Sequence, residues 1–188
     1  DIDTSEIFKA LKKMPNNKSP GPDGICVEFY KLFWNIIGSD LCEVLKKGLE
    51  DEELAYSQYL ASIILLYKKG PRPNIKNWRP ISLLNSDYKL LSKVLAERLK
   101  NVLKEIISPD QRGCVPGRYI GENIRLVEDM IHEIEQGNIP AVLLQLDQEK
   151  AFDRVEWDWL FKVLAHFNFG DTFIGHLKTL YKNAKSSI

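Results

Sequence analysis

A carboxylate, Asp147, directly follows an apolar run, Ala141-Val-Leu-Leu-Gln-Leu146, that has the composition of a buried strand. Burying an unpaired carboxylate costs several kcal/mol, so Asp147 must be hydrated, paired with a cation or bound to a metal. Oxygen ligands at strand ends suit magnesium, and two-metal phosphoryl transfer uses two such cations about 4 Å apart. A metal role requires further carboxylates from elsewhere in the fold. The alternative is that Asp147 caps a short helix beginning at Gln148. For Asp153, hydrogen bonding to a neighbouring loop is favoured over catalysis.

A second group of residues that could do chemistry is a basic loop. Five cationic residues fall within twelve positions that contain no acid: Lys68, Lys69, Arg72, Lys76 and Arg79. A hairpin with a mobile basic tip can reach over a triphosphate, where Arg supplies a planar fork of donors and Lys a point charge. The alternative is a solvated turn. We expect Trp78 and the strand-like residues that follow to hold the Arg79 side chain in one place.

Helices and one hairpin are predicted to position these residues. Apolar periodicity predicts helices over residues 3–14, 29–49, 88–106 and 120–134, and two more helices that contain Trp157 and Phe173. The first of these has Asp3 and Glu6 as a capping pair, and Gly137 terminates the fourth. The stripes of the helices at 88–106 and 120–134 are expected to face the core. A β-branched run at 61–67 and the run at 78–84 predict a hairpin.

Other candidate motifs favour structural roles. Ser19-Pro-Gly-Pro-Asp-Gly24 predicts a rigid turn between helices, with a backbone nest for phosphate as the alternative. The histidines, His132, His166 and His176, lie on separate predicted helices without metal-ligand spacing. The cysteines, Cys26, Cys42 and Cys114, fit neither a disulfide framework nor a zinc module, and we expect them to be small, mostly buried hydrophobic residues.

The composition of the 188 residues is that of an ordinary soluble globular protein, long enough for one large domain or two small ones. Because 26 Lys and Arg balance 26 Asp and Glu, no global field attracts the chain to nucleic acid or membrane, and any basic surface must be local. The absence of a signal segment or membrane-length apolar run makes an intracellular protein the expectation. Both ends look cut.

Several segments occur together in a known order. They are Ser19-Pro-Gly-Pro-Asp-Gly24, Ala61-Ser-Ile-Ile-Leu-Leu-Tyr-Lys68, Asn77-Trp-Arg-Pro-Ile-Ser-Leu-Leu-Asn85, Asp110-Gln-Arg-Gly113 with Pro116-Gly117, and Leu146-Asp-Gln-Glu-Lys-Ala-Phe-Asp153. In order and spacing the chain resembles reverse transcriptases of LINE-type, non-long-terminal-repeat retrotransposons. The resemblance implies an α+β fold: the helix-rich fingers and the N-terminal part of the palm of a right-hand polymerase, incomplete.

The resemblance also implies residue roles. Asp147 would be the palm aspartate that binds Mg²⁺, with the backbone carbonyl of Gln148 completing one coordination sphere. Phe152 would be the steric gate that excludes a ribose 2′-hydroxyl. Arg79, with Lys68 or Lys69, would hold the deoxynucleoside triphosphate. Structural support would come from Asp153, Trp78 and Gly113.

The implied domains are fingers over residues 1–92, with the basic hairpin at 61–84, and a partial palm with returning fingers helices over 93–188. The family's second catalytic strand, which carries two consecutive aspartates, and the thumb would lie beyond Ile188. The chain contains no Asp-Asp pair, so we expect it to be inactive alone. The implied partners are an RNA template, a DNA primer and the remaining palm and thumb in cis, in nucleus and cytoplasm, with no membrane. The alternatives are a non-catalytic retrotransposon remnant that at most binds nucleic acid, and a mostly helical interaction domain.

Overall fold

Helices dominate the architecture, which a computed structural model describes for residues 2–187. The helices are α1 (Thr4–Lys13), α2 (Val27–Leu32), α3 (Trp34–Glu50), α4 (Ser86–Ile106), α5 (Gly121–Gln136), α6 (Trp157–His166) and α7 (Asp171–Tyr181). The strands are β1 (Leu60–Tyr67), β2 (Trp78–Leu84) and β3 (Lys185–Ser187), and short 3-10 helices span Tyr56–Tyr59, Ile75–Asn77 and Ala151–Arg154. This composition confirms the predicted α+β class.

The chain divides into two compact units. The first contains the described residues up to Glu97 together with those from Phe169 onward, and the second is Arg98–Asn168. Helix α4 begins in the first unit and ends in the second. The division into fingers and palm at residues 92 and 93 stays a prediction.

The hydrophobic core of the first unit is built from α1, α3 and the first half of α4. Ile7 of α1, Leu45 of α3 and Leu91 of α4 are fully buried. These positions follow the helical period of each segment, which is why the sequence pattern located them. Burying each such side chain stabilises the unit by about 1.5–3 kcal/mol.

The predicted hairpin is confirmed as part of a three-stranded sheet of order β2-β1-β3. Strands β1 and β2 are antiparallel, with Tyr67 opposite Trp78 and Leu66 opposite Arg79. Strand β3 pairs with β1 in parallel, with Ala61 opposite Ser186. Pro80 lies in β2, an edge strand, where its missing N–H donor is tolerated.

The helix predicted over residues 29–49 is two helices rather than one. The helix is interrupted at Phe33, whose φ of −95° and ψ of 11° lie outside helical geometry, so α2 ends before this residue and α3 begins after it. At the start of α1 the Asp3 half of the predicted capping pair is also wrong. The Asp3 carboxylate accepts a hydrogen bond from the Ser5 hydroxyl and makes no side-chain cap to the backbone.

The strand predicted before Asp147 is absent from the described structure. Residues 139–148 have no regular secondary structure, and Val142 and Leu146 are 93% and 86% exposed. A strand needs a neighbour to satisfy its N–H and C=O groups, and no described strand pairs with this run. The apolar composition alone therefore did not produce a buried strand.

Two further burial expectations are wrong. Helix α5 forms and ends at Gly137 as predicted, but none of its described residues is buried, and Ile124 is 58% exposed. Among the cysteines, Cys42 is buried, Cys26 is half-buried and Cys114 is exposed. Amphipathic spacing shows which face of a helix is apolar but not whether another element covers it. No helix in residues 2–187 has the length and apolar character needed to cross a membrane.

Candidate functional site

The basic residues lie together at one end of the β1–β2 hairpin. Lys68, Lys69, Arg72 and Lys76 belong to the connection between the strands, and Arg79 follows one residue into β2. The side chains are all exposed. Since the two strands are paired up to Tyr67 and Trp78, these cations share a short, well-defined part of the molecule.

None of these five cations has an acidic partner among the described residues, and four of them have no side-chain partner there at all. Lys68, Lys69, Lys76 and Arg79 make no side-chain hydrogen bond or ion pair there, whereas Lys13 lies 2.6 Å from Glu97 and Lys47 lies 2.8 Å from Asp51. Their charges are therefore not neutralised within this part of the fold. An anion carrying several charges is the ligand that such a group attracts.

The connection itself is folded against its own base. The backbone N–H of Lys68 donates to the Asn77 carbonyl at 2.8 Å, and the Trp78 indole N–H donates to the Arg72 carbonyl at 2.8 Å. The Trp78 indole holds the backbone of Arg72, and Arg79 makes no side-chain hydrogen bond to another described residue. That Trp78 restrains the Arg79 side chain stays a prediction.

Asp147, Gln148, Phe152 and Asp153 lie together on an exposed segment of the second unit. The Asp147 carboxylate has no hydrogen bond or ion pair with other described residues, and the Phe152 ring is 94% exposed. The segment turns at Lys150, which has a φ of +52°, into the 3-10 helix Ala151–Arg154, closed by a 3.0 Å bond from the Asp153 N–H to the Lys150 carbonyl. The carboxylate and the ring are thus available to groups from outside this segment.

No cluster of three or more His, Cys, Asp or Glu side chains able to hold a metal occurs in residues 2–187. Asp147 and Gln148 offer one carboxylate and one carbonyl, three oxygen atoms at most. Divalent magnesium requires near-octahedral oxygen coordination. The described residues alone therefore do not fit a complete divalent-metal site.

The Ser19–Gly24 turn is a connector, as predicted. The Gly24 N–H donates to the Gly21 carbonyl at 3.0 Å, the Ile25 N–H to the Asp23 carboxylate at 2.9 Å and the Asp23 N–H to the buried Asn85 side chain at 3.3 Å. Since the Asp23 and Gly24 N–H groups are used inside the fold, the turn has fewer N–H groups left for a phosphate nest. A Cβ on Gly21 would lie 2.2 Å from the Asn85 Oδ1 atom, so the turn needs glycine there.

Arg118 is a structural residue that the sequence analysis missed. Its guanidinium donates to the carbonyls of Lys104, Ile107, Ser108 and Gln111 at 3.3, 2.9, 2.5 and 2.7 Å. It thereby fixes the Asp110–Gly113 segment to the end of α4. In the same segment the Gly113 carbonyl accepts from Gln111 Nε2 at 3.1 Å, and the proposed support role of Gly113 stays a prediction. Sequence periodicity relates only neighbouring turns of one helix or strand, so it gave no signal for the contacts of Arg118 with carbonyls up to 14 residues before it.

Comparisons with known proteins identify relatives over almost the whole chain. Residues 66–187 match the family model described as reverse transcriptase (RNA-dependent DNA polymerase). The chain is 46% identical to the 149 kDa protein of transposon TX1 of Xenopus laevis, over 98% of this chain and 14% of that protein. It is 28% identical to the probable RNA-directed DNA polymerase from transposon BS of Drosophila melanogaster, over 98% of this chain and 20% of that protein. A 28% match to the probable RNA-directed DNA polymerase from transposon X-element of the same fly covers 80% of this chain and 17% of that protein.

Proposed function

This chain belongs to the reverse transcriptase (RNA-dependent DNA polymerase) family, in the group carried by LINE-type, non-long-terminal-repeat retrotransposons. On that basis we propose that it forms the fingers and first part of the palm of such a polymerase. The chain spans 14% to 20% of the length of the relatives named above. The complete protein extends a DNA primer on an RNA template with deoxynucleoside triphosphates. The rest of the palm and the thumb act in cis.

The observation that carries this proposal is the basic hairpin. Lys68, Lys69 and Arg79 are exposed, lack acidic partners among the described residues and lie on an antiparallel hairpin inside the region of family similarity. A triphosphate is a compact polyanion, and charge-assisted hydrogen bonds from Arg and Lys are the strongest neutralising contacts available to it. These three residues bind the incoming triphosphate.

Asp147 contributes one carboxylate to the catalytic centre of the complete protein. In the complete protein the Asp147 carboxylate and the Gln148 carbonyl would help to hold divalent metal ions, for which we propose Mg²⁺, and such ions would stabilise negative charge on the reacting oxygens. This chain supplies the Asp147 carboxylate and the Gln148 carbonyl, and the other ligands come from the remaining palm. For this reason the chain alone is inactive.

Phe152 selects the sugar of the nucleotide. Its ring lies five residues after Asp147 in sequence, and because it is exposed it is free to pack under a ribose. An aromatic ring at that position rejects a 2′-hydroxyl by shape, as a polymerase that makes DNA requires.

Replacing Arg79 by Gln in the full-length protein should raise the KM for the nucleotide about tenfold to a hundredfold, because a charge-assisted contact to the triphosphate is lost. Arg79→Lys should restore part of the loss. Lys47→Gln is a control that removes an exposed cation paired with Asp51. Primer extension on an RNA template at varied nucleotide concentration measures the KM of each variant. An unchanged KM in Arg79→Gln would remove Arg79 from the nucleotide site.

Changes in the palm segment should separate catalysis from selectivity in the same assay. Asp147→Asn should lower primer extension by about a thousandfold or more, because the metal ligands act together and the loss of one disables the whole site. Phe152→Val should keep deoxynucleotide extension and admit ribonucleotides. If Asp147→Asn still extends the primer, the metal site lies elsewhere. If Phe152→Val rejects ribonucleotides as strongly as the unsubstituted protein, Phe152 is not the steric gate. An unsubstituted full-length protein that binds RNA but extends no primer would support the alternative of a non-catalytic remnant.

A further inference from the structure

Three successive carbonyls in the hairpin connection are bound by side chains from its base. The Gly70 carbonyl accepts from the Tyr67 hydroxyl, the Pro71 carbonyl from Asn77 Nδ2 at 2.8 Å and the Arg72 carbonyl from Trp78 Nε1 at 2.8 Å. Tyr67 and Trp78 are opposite each other at the end of the strand pairing. Side chains on both sides of the base of the hairpin therefore hold the loop backbone by hydrogen bonds.

Arg72 takes part in this arrangement. The Tyr67 and Trp78 rings lie 5.4 Å apart at 64°, and the Arg72 Cζ atom lies 5.3 Å from the Tyr67 ring centroid, within cation–π range. Arg72 therefore contacts the loop base with both its carbonyl and its guanidinium. In this it differs from Lys68, Lys69, Lys76 and Arg79.

The backbone conformation of the loop depends on the same contacts. Gly70 has a φ of +88°, and a Cβ there would lie 2.7 Å from Asn77 Nδ2, so the Asn77 amide packs where only glycine leaves room. The Asn74 N–H donates to the Pro71 carbonyl at 3.1 Å, and the Asn77 N–H donates to the Asn74 carbonyl at 3.0 Å. The four like charges of the connection repel one another and favour an open loop, and these contacts oppose that opening.

We propose that Tyr67, Asn77 and Trp78 are positioning residues for anion binding by the hairpin. Arg72 belongs to this scaffold rather than to the set of cations that touch the anion, a set in which the exposed Lys76 joins the three residues named above. The proposal rests on the triphosphate role of the hairpin given above. A loop folded before binding loses less conformational entropy when the ligand arrives, so the scaffold raises affinity without contacting the ligand.

The test compares Trp78→Phe and Lys76→Gln in the 188-residue chain. Trp78→Phe keeps an aromatic ring against Tyr67 but removes the donor to the Arg72 carbonyl, whereas Lys76→Gln removes a charge and leaves the three side-chain contacts intact. Tyr67→Phe is a milder second scaffold variant that deletes one hydroxyl. Trp159→Phe, at a tryptophan that is 60% exposed, controls for the type of substitution. Inorganic tripolyphosphate is the probe, titrated by calorimetry at several salt concentrations, and ¹⁵N heteronuclear NOE values report the order of residues 69–76.

Scaffold and charge variants should differ in two readouts. Trp78→Phe should lower the NOE values of the loop and weaken tripolyphosphate binding about threefold to tenfold, with the salt dependence of the dissociation constant unchanged. Lys76→Gln should leave the NOE values unchanged and reduce the salt dependence, because one ionic contact is lost. Circular dichroism of each variant confirms that the global fold persists.

The outcomes separate this inference from the function on which it rests. If the unsubstituted chain binds tripolyphosphate and Lys76→Gln weakens it, but Trp78→Phe and Tyr67→Phe change neither affinity nor NOE values, the positioning role is overturned and the anion role stands. If the unsubstituted chain does not bind tripolyphosphate, the anion role and the positioning role are both overturned. An Arg72→Gln variant that reduces the salt dependence as Lys76→Gln does, without lowering the loop NOE values, would return Arg72 to the anion-contacting set.

Discussion

Two tyrosines in the first unit show how burial changes the acidity of a single side chain. Burial raises the pKa of Tyr30, and the negative charges of Asp87 and Asp23 raise it further. Burial also raises the pKa of Tyr88, whose hydroxyl donates to the Leu180 carbonyl at 2.8 Å. The Tyr30 hydroxyl makes no hydrogen bond to another described residue. The same residue type is therefore held by packing in one case and by packing plus a hydrogen bond in the other.

These raised pKa values predict a loss of stability at alkaline pH. An unfolded tyrosine ionises near pH 10, whereas the folded phenols keep their protons to higher pH, so the stability they support is complete below pH 10 and decreases above it. Each ionising tyrosine contributes up to about 1.4 kcal/mol per pH unit. Tyr30→Phe should reduce this alkaline slope in urea unfolding between pH 8 and 11.

The Tyr88→Phe variant is the matched comparison. It should reduce the alkaline slope as well, and it should also cost about 1 kcal/mol at pH 8, because the hydrogen bond to Leu180 is lost. If Tyr30→Phe shows the slope of the unsubstituted chain, Tyr30 ionises as freely in the folded state as in the unfolded state.

At the scale of elements, helices and the hairpin followed from local pattern, whereas their ends and exposed faces did not. Helix α4 is the example. Its buried stripe through Leu95 follows the apolar period, whereas its start at Ser86 lies two residues before the predicted start at Tyr88. Its C-terminal carbonyls, which a helix leaves without intrahelical partners, are satisfied in part by Arg118. That contact joins positions on opposite sides of a loop and has no period to reveal it.

Arg118→Gln should lower the free energy of unfolding by about 2–4 kcal/mol, because several charge-assisted hydrogen bonds to carbonyls are lost together. Urea denaturation measures this value, and hydrogen exchange should show that residues 104–107 lose protection. Arg125→Gln is the control: Arg125 is exposed and pairs with Asp129 at 2.9 Å across one helical turn, a contact that contributes less than about 0.5 kcal/mol. Equal effects of the two substitutions would show that the guanidinium of Arg118 contributes no more than a surface ion pair.

At the scale of the whole molecule, buried apolar surface is distributed unequally between the two units. The core cluster runs from Ile2 to Leu95 and includes Leu180, all in the first unit. In the described second unit, the buried hydrophobic side chains are Val115 and Leu164. Since burial of apolar side chains is the main favourable term in folding, the first unit has the larger reserve of stability.

Native-state hydrogen exchange should therefore distinguish the units. Amides of α4 around Leu90–Leu95 should open with a free energy at least about 2 kcal/mol above that of amides in α5, which buries no described residue. Exchange followed by NMR across a series of low urea concentrations measures both opening free energies. Equal values would show that the two units unfold as one cooperative body.

The features that the sequence pattern predicted correctly are local. Turn chemistry at Ser19–Gly24, the apolar period of α1 and α4, the hairpin runs at 61–67 and 78–84, and the ordered motifs that identify the family can all be read along the chain. The features that the pattern did not predict depend on partners that are distant in sequence. The run before Asp147 has strand composition but no described strand beside it, and the stripe of α5 has helical spacing but no covering element in the described residues. Pairing and burial need two surfaces, and a pattern in one segment specifies only one of them.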